Sequence, residues 1–381
     1  MLASRREAAI AREENPSKIV IAPGPRAAEE VVLGALDRLL GGAGAPADLA
    51  PLALPVRVVV PSRSLRLHLA SALVRRRGRA VAGVEIVTLF GVAAQVLARA
   101  GERLPQGEAL FGVLARRWAR EVPALAEGLD DLVDGYGAVA ATVRDFLDAG
   151  FEPALAEGVA QAALEAARAD GRPVGTRAER ERAAALAELT AAVERGMTAL
   201  GVGRSTHLLR RAAELLAADP DLLPARAVLI HGFGDATAVA ADLLAALLGR
   251  AGSLWVLDRP PRPLGSADSP AEGGLEAAFT ERLFARLVPV AGRVEDAGPA
   301  PQPARLDSFS APGAVAETRE LARRIRALLD REDLSLAPEE IGVVVRDLRP
   351  DQPYATALRR AFDRAGIPFS GVGATGPLLP A

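Results

Sequence analysis

Ala227-Val-Leu-Ile-His-Gly-Phe-Gly-Asp-Ala-Thr237 is the stretch whose reading decides the architecture. Val228, Leu229 and Ile230 form a short apolar run of β-formers closed by Gly232 and Gly234, and an Ala/Leu pattern at helical spacing follows from Ala236 to Leu248. Strand, glycine loop and helix in that order make one unit of an α/β sheet. A nucleotide-hydrolysing site would keep acids at this strand end, and here only Asp235 is acidic.

The same rhythm recurs on both sides of that stretch. Lys18-Ile-Val-Ile-Ala-Pro-Gly-Pro-Arg26 reads as a strand entering a tight turn, with a helix over about 27–40. A phosphate loop would need Gly-Lys-Ser/Thr in this turn, but Gly24 is followed by Pro25 and Arg26. Val56-Arg-Val-Val-Val60 is a second strand; Pro61-Ser-Arg-Ser64 then opens a helix through Val74, with Ser62 or Ser64 as its N-cap. Val84–Phe90 is a third strand and Gly91–Ala100 its helix, while Ser253–Asp258 is a strand after the opening unit.

Seven arginines lie between Arg57 and Arg79, and no acid occurs from Leu49 to Val84. Arginines beside a helix N-terminus suit nucleic-acid phosphates. The alternative for Arg75-Arg76-Arg77 is a solvated helix end favoured by the macrodipole.

Bulk composition narrows the function classes. At 381 residues with 50% hydrophobic content the chain is long enough for two or three domains with real cores. A net charge of −2 argues against a protein that coats nucleic acid with its whole surface, though a local basic stripe remains compatible. Cysteine is absent, which removes disulfides, thiolate nucleophiles, Cys-type zinc sites and iron–sulfur ligation. Residues 1–18 mix Arg and Glu without an apolar core, and no apolar run is long enough for a span. A cytoplasmic protein without membrane contact is expected. Of 46 basic residues only Lys18 is lysine, and it precedes its strand, at the wrong end for a phosphate loop.

From residue 101 to 220 the pattern turns helical throughout, over Gly107–Glu121, Asp131–Ala149, Glu152–Ala169, Arg177–Leu200 and Thr206–Ala218. This predicts an all-helical insertion between sheet strands. Asp145, Asp148 and Glu152 read as solvated helix faces, and Gly201-Val-Gly-Arg-Ser-Thr206 as a helix start capped by Ser205 rather than a phosphate loop. His68 and His207 read as partly exposed helix residues. A Pro/Gly/Ser loop spans Arg259–Gly274, a helix covers about Leu275–Leu287, and a linker lies near Gly298–Pro303. Beyond it, strands over Arg305–Ser310 and Ile341–Arg346 and helices over Val315–Asp330 and Tyr354–Ala365 are expected, with Ile367–Phe369 extended. Gly371-Val-Gly-Ala-Thr-Gly376 matches GxGxxG without the following helix that would give it meaning. This second α/β unit reads as unfinished, as in a fragment or an early-terminated product.

The order of these pieces resembles the N-terminal half of superfamily 1 helicases of the UvrD/RecB type, most closely the AddB-like (RexB-like) helicase–nuclease subunits. The resemblance runs from Lys18 onward. Ala22-Pro-Gly-Pro-Arg-Ala27 stands where the family has its phosphate loop, in degraded form. Val60-Pro-Ser-Arg-Ser64 and Thr88-Leu-Phe-Gly-Val92 are similar to motifs that contact single-stranded DNA, and Ile230–Thr237 to the Asp-Glu-Phe-x-Asp-Thr segment. There His231 and Gly232 replace the magnesium-binding Asp and the catalytic Glu, while Asp235 and Thr237 are retained. Trp255–Asp258 stands at the nucleotide-sensing strand, without the following glutamine, and Glu340–Arg346 with Arg364–Phe369 is similar to the start of a second RecA-like domain.

The resemblance implies a RecA-like parallel sheet domain, discontinuous over 1–100 and 221–300, an all-helical insertion over 101–220, and the incomplete start of a second RecA-like domain over 301–381. It implies a degenerate nucleotide site at Gly24, Pro25, Arg26, His231, Gly232 and Asp235, and DNA contacts at Ser62, Arg63, Ser64, Arg66, Thr88 and Phe90. ATP and magnesium, the cofactors of active relatives, are not expected, because that chemistry rests on a lysine, a metal-binding acid and a water-orienting acid. The family's nuclease also uses a lysine and would lie beyond Ala381. The expected role is an inactive helicase-like module in double-strand-break processing, binding single-stranded or duplex-end DNA and an AddA-like helicase subunit. An ATP-dependent helicase with a degenerate site, or a protein scaffold without DNA contact, are the alternatives.

Overall fold

Six parallel strands form one sheet in the order β3-β2-β6-β7-β1-β8, built from β1 (Lys18–Ile21), β2 (Val56–Val60), β3 (Val84–Thr88), β6 (Ala227–His231), β7 (Leu254–Leu257) and β8 (Arg293–Asp296). The short antiparallel pair β4 (Arg168–Ala169) and β5 (Arg172–Pro173) lies apart from it. A computed structural model describes residues 16–41, 54–126, 129, 133–165, 168–169, 172–173, 175–258, 274–298, 307–333, 336–345 and 352–370. The leader, the Gly41–Pro55 loop beyond Gly41 and before Leu54, the loop over 259–273 and the GxGxxG stretch lie outside these. Two compact units result, Met1–Pro301 and Gln302–Ala381.

Strand alternation sends side chains into two cores. Val58, Val60, Leu229, Leu254 and Val256 meet α1 (Pro25–Leu39) and α2 (Arg63–Arg77) on one face. Val59, Val228, Ile230, Trp255 and Leu257 meet α3 (Leu89–Arg99), α9 (Ser205–Ala218), α10 (Ala238–Leu248) and α11 (Gly274–Leu287) on the other. Burial on both faces explains why β2, β6 and β7 read as near-continuous apolar runs, broken only by Arg57 and closed by His231. Connections leaving β1 and β2 cross the first face, and those leaving β3, β6 and β7 cross the second. Their sense therefore reverses between β1 and β7, between β2 and β6 and between β2 and β3, where an open parallel sheet leaves crevices at the carboxyl ends of its strands.

The insertion consists of α4 (Glu108–Arg120), α5 (Pro123–Ala126), α6 (Gly135–Asp148), α7 (Ala156–Glu165) and α8 (Arg177–Ala199); α4, α5, α6 and α8 pack around Phe111, Val143, Leu189, Val193 and Met197, and α7 packs on Ala184, Ala187 and Ala191 of α8. The expected helix over Glu152–Ala169 is shorter: a 3-10 turn covers Pro153–Leu155 before α7. The expected Ser205 cap is also corrected. Arg204 occupies the cap position, and its N–H donates to His207 Nδ1 at 2.8 Å. The His207 Nε2–H then donates to Glu194 Oε1 at 2.7 Å. Asp148 is no solvated helix residue either. It is half-buried, with its carboxylate 3.2 Å from a guanidinium nitrogen of the buried Arg204. Arg204 also donates to Glu108 at 3.2 Å and stacks 4.5 Å from the Phe111 ring.

β8 is absent from the sequence reading because Arg-Val-Glu-Asp lacks an apolar run; as an edge strand pairing only with β1 it needs none. In the second unit α12 (Ala314–Leu329) and α13 (Pro353–Arg364) pack through Ala322, Ile325, Leu358 and Phe362. The expected strands there do not form among the described residues. Residues 307–310 and 341–345 carry no ladder. Ile341, Val343 and Val345 rest on the helices while Val344 is 97% exposed. Alternation reports one-sided burial, and a strand also needs a hydrogen-bonding neighbour. Among the described residues no helix is long and apolar enough to cross a membrane.

Candidate nucleic-acid interface and degenerate nucleotide site

All six strands end at one edge, so the turns after β1, β2, β3, β6 and β7 lie side by side there. β7 separates β1 from β6, which places the two turns expected to form a nucleotide site about 10 Å apart. After β1, Gly24 takes φ 121° and caps α1 without a side-chain bond, with Pro25 in the first helical position. Arg26 is exposed. Lys18 lies at the opposite edge, held to Glu295 of β8 at 3.3 Å.

After β6 the geometry is unlike that of a metal–phosphate site. Gly232 has φ 81°, and a Cβ there would stand 2.4 Å from Leu65 Cδ2 and 3.3 Å from Pro61 Cδ. Where the resemblance expects a glutamate, apolar side chains from the β2–α2 turn occupy the space. His231 is 4% exposed and its Nδ1 has no partner. Burial holds its pKa below the ordinary histidine value, and His68 adds to this, while Asp258 and Glu29 oppose it. A neutral imidazole is a poor substitute for the hard oxygens magnesium prefers. Asp235 is exposed, and the Thr237 hydroxyl is spent accepting the Ala240 N–H as the cap of α10. Among the described residues no three His, Cys, Asp or Glu are grouped to hold a metal.

The residues expected to touch DNA come together on the neighbouring turns. Val60 and Thr88 are partners in the β2–β3 register, so the segments that follow start side by side. Ser62 and Thr88 are both helix caps, accepting the N–H groups of Leu65 and Gly91 at 3.2 Å. Arg63 and Ser64 are exposed, Arg66 is half-buried, and Phe90 is 45% exposed.

The seven arginines divide by role. Arg57 is buried, donating to Gln95 at 2.6 Å and Pro224 O at 3.0 Å and pairing with Glu85 at 2.8 Å. Arg76 joins Glu30 and Asp37 at 2.7 Å each, and Arg77 joins Asp37 and Gly41 O, so both clamp α2 to α1. The alternatives for Arg75–Arg77 thus resolve unequally, since two of the three serve packing rather than solvent or phosphate. Arg63, Arg66, Arg75 and Arg79 have no ion-pair partner among the described residues. Sequence reasoning missed Leu65 as the cover of Gly232 and the Glu29–His68 pair at 2.7 Å beside it; no local motif marks either contact.

No protein-family model matches the chain, and no curated protein matches it.

Proposed function

We propose that this chain is a catalytically silent helicase-like module that binds DNA and an active helicase subunit during cytoplasmic double-strand-break processing. The observation that carries the reading is one sheet edge with two characters: Leu65 and Pro61 seated on the Gly232 turn, and Arg63 and Arg66, unpaired among the described residues, with exposed Phe90 on the next turns. Guanidinium groups bind phosphates by releasing counterions, and an exposed ring offers a base a stacking surface. With an imidazole and a covered glycine at the end of β6, neither position supplies the metal-binding or water-orienting carboxylate that phosphoryl transfer depends on.

Fluorescence anisotropy with a labelled single strand at low and moderate salt tests the DNA contact. Arg63→Ala with Arg66→Ala should weaken binding and lower the salt slope by about 1.4, at about 0.7 per lost phosphate contact. Unchanged binding would sink the assignment, and no binding by the unaltered protein would favour a protein scaffold. DNA-stimulated phosphate release from ATP would instead favour an active helicase with a degenerate site.

A further inference from the structure

The chain leaves the sheet for the helical insertion through residues 100–107 and returns through residues 200–204. These two crossings are zipped together. Gly107 N donates to Gly203 O at 2.8 Å, Gly203 N donates to Pro105 O at 2.9 Å, and Leu104 packs so closely on Gly203 that a Cβ there would meet it at 2.4 Å. Beside this neck lies a cavity of ≈ 280 Å³ between the end of α3 and the first turns of α9.

Its lining has an apolar floor and a cationic rim. Leu97, buried, and Leu104, half-buried, contribute the floor. Arg103, Arg210 and Arg211 contribute the rim. Arg211 is fully engaged, forked onto Glu102 at 2.6 and 2.9 Å and bonded to Glu214 at 2.9 Å. Arg103 and Arg210 have no hydrogen-bond or ion-pair partner among the described residues. His207 presents only its ring, because both nitrogens are committed to Arg204 and Glu194. The rim therefore carries three guanidiniums against two carboxylates, with two of the three free to take a ligand.

We propose that this neck pocket binds an oxyanion with a short apolar body, its head held by Arg103 and Arg210 and its body on Leu97 and Leu104. A planar guanidinium matches carboxylate and phosphate alike in a two-bond fork. The cavity is at the small end of ligand-pocket sizes, which suits a ligand of one ring or a short alkyl chain. Because Arg103 belongs to the outgoing crossing and Arg210 to the helix that follows the incoming one, the bound anion joins the two. The proposal stands apart from the DNA reading, since the pocket shares no residue with the sheet-edge turns.

The test is titration of the full chain with phenyl phosphate, benzoate and neutral benzamide, followed by calorimetry and by NMR shifts of the Leu97 and Leu104 methyl groups. At least one oxyanion should bind ten-fold or more tightly than benzamide, and the better of the two identifies the head group. Arg103→Ala with Arg210→Ala should lose that ten-fold preference while the melting temperature stays within a degree or two. Arg210→Gln alone, which keeps the stem and a polar tip, should lose part of it and serves if the double variant folds poorly. Oxyanions that bind no better than benzamide, or variants that keep the preference, overturn the proposal.

Discussion

Replacing Gly232 with alanine tests whether the turn after β6 is closed by packing. The backbone there sits at φ 81°, where an L-residue costs about 1–2 kcal/mol. The new methyl would also stand 2.4 Å from Leu65 Cδ2, well inside contact distance, and overpacking of this kind costs about 1–3 kcal/mol. Leu65 is half-buried and its tip can turn away, so the lower part of that range applies. Together they give about 2–4 kcal/mol, which for a unit of this size lowers Tm by about 4–8 °C at about 2 °C per kcal/mol. Thermal unfolding of Gly232→Ala, Leu65→Ala and the pair separates the two costs. Leu65→Ala relieves the overlap and leaves the backbone cost, so the cycle should show a favourable coupling of about 1–2 kcal/mol. A Gly232→Ala protein melting with the parent, or strictly additive effects in the pair, would refute the claim that Leu65 closes this turn.

Three further outcomes are expected. Arg57→Ala should cost about 3 kcal/mol in urea unfolding, because it takes the guanidinium from Glu85, the Gln95 amide oxygen and the Pro224 carbonyl and leaves Glu85 only its Gln95 donor, and Arg57→Met should cost less. Burial lowers the His231 pKa, so below about pH 6.5 the unfolded chain takes up a proton that the folded chain refuses; stability is full above that pH and falls below it, by at most about 1.4 kcal/mol per unit, down to the lowered folded value. His231→Gln should flatten this slope in pH-resolved denaturation, and an equal slope in both proteins would assign the proton elsewhere. Phe90→Ala should weaken oligonucleotide binding by about 1–3 kcal/mol with an unchanged salt slope, and a loss that scales with salt would mean the ring acts by placing charges.

How much was legible in the sequence depended on whether the deciding contact was local. β2, β6 and β7 announce themselves because both their faces are buried, so every residue but Arg57 and His231 is apolar. β8 does not, because an edge strand with Arg293, Glu295 and Asp296 has the composition of a loop until β1 pairs with it. Residues 341–345, expected as a strand, form none for the converse reason: their alternation is real, but it describes packing of Ile341, Val343 and Val345 on helices. At the sheet edge, that His231 and Gly232 are not acids is a one-dimensional fact. That Leu65 fills the resulting space is not, since it joins residues from two separate strand–helix units. The arginines of 57–79 look alike in the sequence, and only the positions of Glu30, Asp37 and Glu85 on α1 and β3 divide clamps from free cations.

The single lysine, paired with Glu295 at the amino edge of the sheet, makes the molecule unusually easy to address by amine chemistry. Its side chain is 37% exposed, so a reactive dye reaches one internal position and, apart from the α-amino group, no other. The label sits one strand length from the turns of the opposite edge, roughly 13 Å across the four residues of β1. A fluorophore there tests the proposed DNA contact at Arg63, Arg66 and Phe90 by energy transfer, from a position where it does not cover them.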